Sequence, residues 1–556
     1  MTRAFAILVG LAATLLVSCG GNGGAPSARI VVFTASDERV PRGTPVTLQW
    51  QAADAGVQDG LPSCELTRRW GDDPNETEVR TTCSGTATEV PSAPPTATAV
   101  HYRFKVLKQP FDASDPYLSE TRSITLDPPA YAIGAGGTGR NEARGVSTLA
   151  DGSAIITGTF FSTAFFGATT LTSAGDIDAF VARVDPNGTW AWATRAGGAG
   201  STRMLDVSTL ADGSAIVTGF YSGTASFGAT TLTSAGNLDV FVARVDPDGS
   251  WEWATSAGGT SDARAYGVST LGNGSAIITG GFSGTATFGA TTLASAGSAD
   301  VFVARVDPDG SWSWATSAGG TGLDEATSIS TRADGSAIIT GNFEGTATVG
   351  DTNLTSAGLS DVFVARVDPD GSWEWATRAG GTSFDRAFGI STLTDGGAIV
   401  TGRFEGSATF GDTNLTSAGG IDVFVARVDP DGTWAWATSA GGADTDQPSD
   451  VSTLADGSAI ITGYFQGSAT FGTSDLTSAG NNDVFVARVD PDGTWAWATR
   501  AGGTSNDVGR SVSPLADGGA LITGDFEGTA SFGANDLTSA GSLDVFVARI
   551  GADGAW

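Results

Sequence analysis

An internal repeat of 61 residues constrains this chain more than any other feature. A block of the type Asp-Val-Phe-Val-Ala-Arg occurs seven times at that interval, and a tryptophan pair recurs with the same period, first at 190 and 192. Self-similarity at a fixed period is the signature of repeat architectures, in which neighbouring units bury each other's apolar faces. The aspartates of the block are Asp178, Asp239, Asp300, Asp361, Asp422, Asp483 and Asp544, and its arginines are Arg183, Arg244, Arg305, Arg366, Arg427, Arg488 and Arg549.

Each copy predicts four strands and two tight turns, as the third copy illustrates. Residues 267–271 and 275–282 are apolar runs joined by Asn273-Gly274, and this pattern is the strongest short-range hairpin signal. A second turn, Asp-Pro-Asp-Gly over 307–310, leads into residues 311–315, where polar and aromatic residues alternate as in a half-buried strand. No stretch of the copy has a helical period, so the unit is one antiparallel sheet.

Four-stranded sheets repeated radially make a β-propeller. The chain stops at Trp556, one strand short of a full unit, and the missing strand matches Tyr131–Gly137 near the start of the first copy. We therefore expect strand 130–137 to complete the last blade and to close a seven-bladed ring over 129–556. An open solenoid, the competing architecture, would gain nothing from this offset and would need capping repeats.

The repeat resembles a known family. Its segments Gly-Val/Ile-Ser-Thr-Leu-x-Asp-Gly, Ile-Thr-Gly-x-Phe-x-Gly-Thr-Ala-Thr-Phe-Gly, Leu-Thr-Ser-Ala-Gly and Asp-Val-Phe-Val-Ala-Arg are similar to the SBBP-type β-propeller repeat of bacterial surface proteins. The resemblance covers roughly residues 130–556. It implies an all-β propeller of four-stranded antiparallel blades, but it implies little about activity.

Residues 28–128 lack the repeat and predict a small β-sandwich that precedes the propeller. Short alternating strands, among them 29–36, 43–50 and 101–106, are separated by turn residues. Their order resembles bacterial surface Ig-like modules. Cys64 and Cys83 are an even pair in what we interpret as an exported protein, so we expect a disulfide that closes a loop of about 20 residues.

The N-terminus predicts a lipid anchor. An apolar run from Ala4 to Val17 is too short to span a bilayer and has the length of a signal h-region. It ends in Leu-Val-Ser-Cys, which resembles the lipobox of bacterial lipoproteins, so we expect a signal peptide over 1–18 and acylation of Cys19. Residues 19–27 are glycine-rich and predict a flexible tether. The resemblance implies attachment to the cell envelope through the membrane, and the Gly20 that follows Cys19 favours the outer membrane or the cell surface.

Composition excludes several classes of function. The net charge of −31 argues against nucleic acid, because that affinity comes from basic groups that meet phosphates. The only histidine is His101, and the repeats contain neither His nor Cys, so no Ser-His-Asp triad and no ordinary zinc site can be built on them. A ring of equivalent acids also offers no unequal carboxylate pair for glycoside hydrolysis.

Three columns of charged residues remain as candidates. We interpret the recurring aspartates as caps that bind backbone N–H groups of the preceding loop, and the recurring arginines as partners of recurring aspartates in ion pairs between blades. An anion-binding ring of arginines is the alternative. A third column lies in the variable loop, where Asn141, Thr202 and Ala263 occupy the other copies. Its acids predict caps as well, with calcium as the one cofactor left open: Asp324, Asp385, Asp446 and Asp507.

The sequence therefore predicts a surface binding or scaffold protein, not an enzyme, whose partner is an unidentified protein or polysaccharide. Differences between copies concentrate at 138–145 and its equivalents, on one loop of each blade, where propellers usually bind. An enzyme acting on extracellular glycans is the first alternative and requires a blade with unique polar residues on its innermost strand. We expect those strands, the Ala-Ile-Ile-Thr-Gly run or its neighbour, to look alike in every copy. A structural envelope component without a ligand is the second alternative.

Overall fold

The computed structural model describes residues 130–556 with their side chains and, before them, the backbone of the strands between 29 and 126. The chain divides into two compact units, Met1–Pro129 and Ala130–Trp556. The described residues of both units are organised as β-sheets. Within this described part of the chain there is no helix that could cross a membrane.

The described strands of the N-terminal unit form two sheets. Their pairings are antiparallel, apart from a short parallel pair between Arg39–Val40 and Tyr117–Leu126. The residues Cys19 and Cys83 lie outside the described part of the chain, so the lipid anchor and the disulfide with Cys64 stay predictions. The three-stranded sheet contains Arg29–Ala35, Val46–Ala53 and Ser84–Glu89, and the five-stranded sheet contains Arg39–Val40, Tyr117–Leu126, Ala99–Leu107, Cys64–Trp70 and Thr77–Arg80.

Each 61-residue repeat forms one four-stranded antiparallel sheet, whose strands we name inner, second, third and outer. The inner strands are Asn141–Thr148, Thr202–Thr209, Ala263–Thr270, Glu325–Thr331, Arg386–Thr392, Asp446–Thr453 and Asp507–Pro514. The second strands are Ala154–Phe160, Ala215–Tyr221, Ala276–Phe282, Ala337–Phe343, Ala398–Phe410, Ala459–Phe465 and Ala520–Phe526. The third strands are Asp178–Val184, Asp239–Val245, Asp300–Val306, Asp361–Val367, Thr413–Val428, Asp483–Val489 and Asp544–Ile550. The outer strands are Trp190–Gly197, Trp251–Ala257, Trp312–Gly320, Trp373–Gly381, Trp434–Gly442, Trp495–Gly503 and, for the last sheet, Ala132–Ala135.

A two-stranded hairpin separates the second strand from the third in each repeat. The hairpin also links neighbouring sheets, since Ala196 at the end of one outer strand pairs with Phe227 in the hairpin of the next repeat. In the fifth repeat the hairpin continues directly from Ala398–Phe410 into Thr413–Val428. The separate hairpins are Thr163–Phe166 with Thr169–Thr172, Thr224–Phe227 with Thr230–Thr233, Thr285–Phe288 with Thr291–Ala294, Thr346–Val349 with Thr352–Thr355, Ser468–Phe471 with Ser474–Thr477, and Thr529–Phe532 with Asn535–Thr538.

The first and last repeats are joined in the same way as the others. Ala132–Ala135 pairs antiparallel with the third strand Asp544–Ile550 and supplies the outer strand of that sheet. The indole N–H of Trp190 donates to the carbonyl of Gly134 at 3.2 Å. On the inner strands, the hydroxyls of Thr148 and Ser513 lie 3.0 Å apart. The sheets therefore surround a common centre, and the architecture is that of a β-propeller.

The core lies between adjacent sheets, because each sheet presents an apolar face to its neighbour. One cluster joins Ile216 and Val242 of one repeat to Ile278 and Phe302 of the next. At the edge of this cluster, Trp312 packs edge-on against Phe288, with ring centroids 5.2 Å apart. The indole groups also hold the sheets together, because successive tryptophans donate hydrogen bonds to backbone carbonyls of the neighbouring repeats.

The innermost strand is one of the two runs expected for that place, but its sequence is not the same in every copy. The Ala-Ile-Ile-Thr-Gly run is the second strand, and the innermost strand is its neighbour, Asn141–Thr148 and its equivalents. The first half of this strand lies in the variable segment, so the expectation that the innermost strands look alike in every copy is wrong. A register shift between Ala143 and Gly145 interrupts the alternation there, and the same bulge recurs in each repeat.

Candidate binding site at the variable rim

The constant halves of the inner strands are held together by hydroxyl groups. Ser147 Oγ lies 3.0 Å from Thr209 Oγ1 of the next repeat, and the backbone N–H of Thr209 donates to Ser147 Oγ at 3.1 Å. The same contacts join the following repeats. In the last repeat Pro514 stands where the others have Thr, and Ser513 bonds to Thr148 there. This layer fixes the spacing of the inner strands around the centre.

The bulge in each inner strand frees a backbone N–H that points at the neighbouring repeat. Two aspartates at the bulge position accept these donors. Asp206 accepts the N–H groups of Val207 and Val268, both at 2.8 Å. Asp450 accepts those of Val451 and Val512, at 2.8 and 3.0 Å, together with the hydroxyl of Ser511 at 2.8 Å. The other repeats carry Gly or Ser at this position.

Both aspartates are shifted towards the neutral form. Desolvation raises the pKa of Asp206 to about 7, and the Asp450 carboxylate adds to that shift. Desolvation also raises the pKa of Asp450 to about 6. Acids with raised pKa values are candidates for proton transfer. Here every carboxylate oxygen accepts a hydrogen bond from the fold itself, so the geometry matches inter-repeat connectors and leaves no oxygen for a substrate.

Beyond the bulge, the inner strands begin at one end of the propeller, and the side chains there differ between repeats. We call this end the variable rim. It is defined by the cross-strand pairs between inner-strand position 142, or its equivalent in each repeat, and the partner on the second strand. The inner-strand residues Arg144, Tyr266, Phe388 and Arg510 complete it. The pairs are Glu142 with Thr159, Arg203 with Phe220, Arg264 with Gly281, Glu325 with Asn342, Arg386 with Arg403, Gln447 with Tyr464, and Val508 with Asp525.

Charges on one side of the variable rim neutralise one another. Glu142 is buried and pairs with Arg144 and with Arg140, the latter at 2.5 Å. Arg510 donates to the buried Asp525 at 2.7 Å, and Asp525 also accepts the backbone N–H of Ala143 of the first repeat at 2.8 Å. Although burial opposes it, these arginines hold the pKa of Glu142 below its usual value. The cluster joins the last and first repeats, and each of its arginines and acids has a partner of opposite charge within the fold.

The fifth repeat carries two rim arginines that form no ion pair within residues 130–556. Arg386 and Arg403 face each other on neighbouring strands. Arg403 donates to the Gln447 side chain at 2.5 Å and lies 5.8 Å from the centre of the Phe388 ring. Arg386 lies 5.8 Å from the centre of the Phe384 ring, and its Nε is buried without a hydrogen-bond partner. Burial and the neighbouring Arg386 lower the pKa of Arg403.

The recurring aspartates cap the loop that precedes them. In each repeat Oδ2 accepts the N–H of the alanine four residues earlier, at 2.5–3.0 Å. In three repeats an arginine of the outer strand also reaches this oxygen, as Arg378 reaches Asp361 at 2.9 Å. The column thus holds the rim loops in place.

The recurring arginines pair within a sheet and not between blades, which corrects the prediction. Arg183 contacts Asp151 at 2.8 Å, and Asp151 belongs to the turn that joins the inner and second strands of the same repeat. The same pairing occurs in most other repeats. Asn273 replaces the turn aspartate in the third repeat, and Arg305 there lies 3.6 Å from Asp307. These arginines lie at the end of the propeller opposite the variable rim.

The four aspartates of the variable loop are buried beside the recurring aspartates. Asp324, for example, accepts the N–H of Gly320 at 2.7 Å, and Asp385, Asp446 and Asp507 make the same bond. Burial is the main cause of their raised pKa values, to about 6 for Asp324, Asp385 and Asp507 and about 7 for Asp446, and the neighbouring recurring aspartate adds to the shift.

Asn141 occupies the same position in the first repeat and shows what the position requires. Its amide donates to Asp544 Oδ1 at 3.0 Å. A neutral aspartic acid can donate in the same way, which agrees with the raised pKa values. As for calcium, residues 130–556 contain no group of three or more metal-ligating side chains placed to share an ion. Each of the four variable-loop aspartates has only one further carboxylate beside it, that of the neighbouring recurring aspartate.

Sequence reasoning missed the variable rim as a set of side chains. The signal was present, because Glu142, Arg203, Arg264, Glu325 and Arg386 occupy one position of the repeat and differ in charge. Their cross-strand partners were not evident, since they follow from the pairing register between the inner and second strands, which the bulge shifts.

Comparison with known proteins gives distant relatives. No family model matches the chain. The regulatory protein FlaEY of Caulobacter vibrioides is 26% identical over 281 residues, which cover 46% of this chain and 29% of that protein. An uncharacterised WD repeat-containing protein of Acanthamoeba polyphaga mimivirus is 24% identical over 241 residues, which cover 36% of this chain and 17% of the relative. The chain thus spans less than a third of the length of either relative.

Solved structures resemble the chain only loosely. A puromycin hydrolase aligns with a TM-score of 0.30 and 12% identity over 77% of this chain and 57% of its own. A cobalt-substituted Synechocystis ACO aligns with a TM-score of 0.30 and 10% identity over 77% of this chain and 95% of its own. Likenesses of this size support no conclusion about activity. The relatives and the sheet topology together describe a repeat-built all-β protein with a propeller-like fold.

Proposed function

We propose that this chain is a lipid-anchored surface protein whose seven-bladed, SBBP-type propeller binds a protein partner through the variable rim. In this proposal Cys19 carries the acyl chains, residues 19–27 form the tether, and an Ig-like module over 28–128 acts as a spacer. The envelope location is the outer membrane or cell surface. The two curated relatives, a regulatory protein and a WD repeat-containing protein, are not named as enzymes.

One observation carries the proposal. The repeats are close copies over their core, hydroxyl layer and turns, yet their non-repeated side chains converge on one end of the propeller. Exposed apolar groups join them there, since Phe384 is 42% exposed and Leu359 is 56% exposed. Aromatic and arginine side chains are enriched in protein-binding surfaces. A scaffold without a ligand has no need for this concentration at a single end.

Catalysis is not part of the proposal, although the inner strands do differ between repeats. Asp206 and Asp450 are the acids whose raised pKa values would suit it, and both have their oxygens engaged by backbone N–H groups. Glu142 and Asp525 are neutralised by arginines. A glycosidase assay with purified protein tests the alternative, and hydrolysis abolished by Asp206→Asn would restore it.

Site-specific photo-cross-linking in intact cells tests the proposed function. Benzoylphenylalanine replaces Thr504, which is exposed in a rim loop, or, as the matched control, Asp309, which is exposed in a turn at the opposite end. We expect a discrete cross-linked protein band from position 504 and none from 309. Cross-linking from 309 alone, or from neither position, contradicts the proposal. In the second case the polysaccharide and structural-coat alternatives gain weight.

A further inference from the structure

We propose that Arg386 and Arg403 form a carboxylate-binding site for an acidic peptide segment of the partner, with Leu359 and Phe384 receiving an apolar side chain beside that carboxylate. The inference deepens the proposed function and rests on it. It names the chemistry that the rim recognises and the repeat that provides it.

The first step is that the arginine pair is anomalous within its own fold. Like charges placed directly opposite on antiparallel strands destabilise the sheet, and Arg386 and Arg403 are such a pair. The cross-strand pairs at the same position in the other six repeats carry no second like charge: Glu142 with Thr159, Arg203 with Phe220, Arg264 with Gly281, Glu325 with Asn342, Gln447 with Tyr464, and Val508 with Asp525.

The second step is that the pair has no internal counterion. Within residues 130–556, no carboxylate lies within ion-pair distance of Arg386 or Arg403, whereas Arg510 of the same rim has Asp525 at 2.7 Å. The carboxylate of Glu405 acts on Arg403 electrostatically, but it is exposed and forms no ion pair with it. Two half-buried guanidinium groups without a counterion are costly in a folded protein. The chain has many acids that could have supplied one, since its net charge is −31.

The free N–H donors of the two guanidinium groups indicate an anionic ligand. The Nε of Arg386 is buried and makes no hydrogen bond. The amide oxygen of Gln447 at 2.5 Å and the Phe388 ring hold the Arg403 guanidinium in place. Both groups are neutral, so the guanidinium keeps its positive charge and its remaining N–H donors are available to an anion. Planar guanidinium groups bind carboxylates through paired, charge-assisted hydrogen bonds. The net negative charge of the chain repels anions at long range. Binding of an anion at the arginine pair therefore depends on direct contacts with the two guanidinium groups.

The fourth step favours a peptide over an acidic sugar. The loops beside Arg386 expose Leu359 and Phe384, and the N–H of Leu359 donates to the carbonyl of Ser383 at 3.3 Å, which holds the two loops together. Phe384 in turn lies against the Arg386 guanidinium. The Arg386 guanidinium covers one face of the Phe384 ring, and Leu359 adds an aliphatic surface beside it. This patch suits an apolar side chain of a peptide better than a sugar ring, which stacks on an open aromatic face.

Isothermal titration with full-length protein purified in detergent tests the inference. The probe is acetyl-Gly-Glu-Leu-Glu-Phe-Gly-amide, its comparison is the same peptide with Gln for Glu, and trigalacturonate is the acidic-sugar probe. We expect the glutamate peptide to bind at least about tenfold more tightly than the glutamine peptide, because hydrogen bonds to charged groups are roughly twice as strong as neutral ones. We expect raised salt to weaken it.

Variants assign the binding to these residues. Arg386→Gln with Arg403→Gln should weaken the glutamate peptide by at least about tenfold, Arg403→Lys should recover part of that loss, and Phe384→Ser should weaken both peptides. Arg332→Gln, at the opposite end of the propeller, is the matched control and should change nothing, with melting temperatures confirming that each variant folds.

Two results overturn the inference: tighter binding of trigalacturonate than of the peptide, and equal binding by wild type and the double glutamine variant. Either one is distinguishable from failure of the proposed function, because the cross-link from position 504 is measured with both arginines present and reports a bound partner whichever rim residues hold it.

Discussion

The half-buried Asp206 allows a quantitative prediction of how stability depends on pH. Its pKa is about 7 in the folded protein against an ordinary value of 3.8. The folded protein therefore holds the proton more tightly than the unfolded chain does. The stability from this group is fully present below about pH 4 and is lost as the pH rises to about 7. A shift of about 3 pH units at about 1.4 kcal/mol per unit amounts to about 4 kcal/mol.

Asp206→Asn should remove this dependence. The asparagine keeps one acceptor for the N–H groups of Val207 and Val268 and loses the other, which costs stability equally at every pH and so cancels in a comparison across pH. The free energy of unfolding is measured in guanidinium at pH 4.5 and pH 8 from the fluorescence of the tryptophans. Because pH 4.5 already lies above the ordinary pKa of 3.8, about 2.5 pH units of the shift fall in this window, and we expect wild type to lose about 3 kcal/mol more than the variant.

Two further variants control the measurement. Asp450→Asn should behave like Asp206→Asn but by a smaller amount, since the pKa of Asp450 is about 6. Asp351→Asn removes a carboxylate that is exposed in a hairpin turn and should leave the wild-type dependence intact. If Asp206→Asn shows the same change between pH 4.5 and pH 8 as wild type, the aspartate is already ionised in the folded protein and the reasoning fails.

Three other predictions follow from the described contacts and the N-terminal sequence. Deletion of 129–137 should leave the third strand Asp544–Ile550 without its partner and cause aggregation or a sharply lower melting temperature, whereas unchanged melting would contradict ring closure. Cys19→Ala should release the protein from the membrane fraction, and continued membrane fractionation would refute the lipid anchor. Asp446→Asn should keep the donor that Asn141 supplies in the first repeat and melt no lower than wild type at pH 8, while Asp446→Ala should melt lower; stabilisation of wild type by added calcium would revive the metal alternative.

Much of the fold was predictable because the period is strict. A 61-residue repeat with Asn-Gly and Asp-Gly turns determines where strands end, and turn chemistry is local. Gly310, for example, has φ +83 at the end of Asp-Pro-Asp-Gly, as such a turn requires. The capping role of the recurring aspartates could also be predicted, because each carboxylate accepts a hydrogen bond from a backbone N–H only four residues away.

Interactions set by register were not predictable in the same way. The partner of Arg183 depends on how the second and third strands align, which places the start of one opposite the end of the other. The inner strand was harder still, since the bulge after Ala143 shifts which residues face the next repeat. Position in the repeat identified the variable residues, but only the pairing register showed that two of them are facing arginines.

The division of labour within each repeat explains how close copies can still form a specific surface. The second and third strands, the tryptophans and the hydroxyl layer are nearly the same in every repeat, because each must fit an equivalent neighbour on both sides of the ring. The rim residues contact the neighbouring repeat only through a few side chains, so they can differ between repeats while the ring stays closed. Glu142 and Arg510 show one outcome, a charged cluster in which every group has a partner of opposite charge. Arg386 and Arg403 show the other, in which no carboxylate of residues 130–556 forms an ion pair with either arginine, and we propose that the partner supplies it.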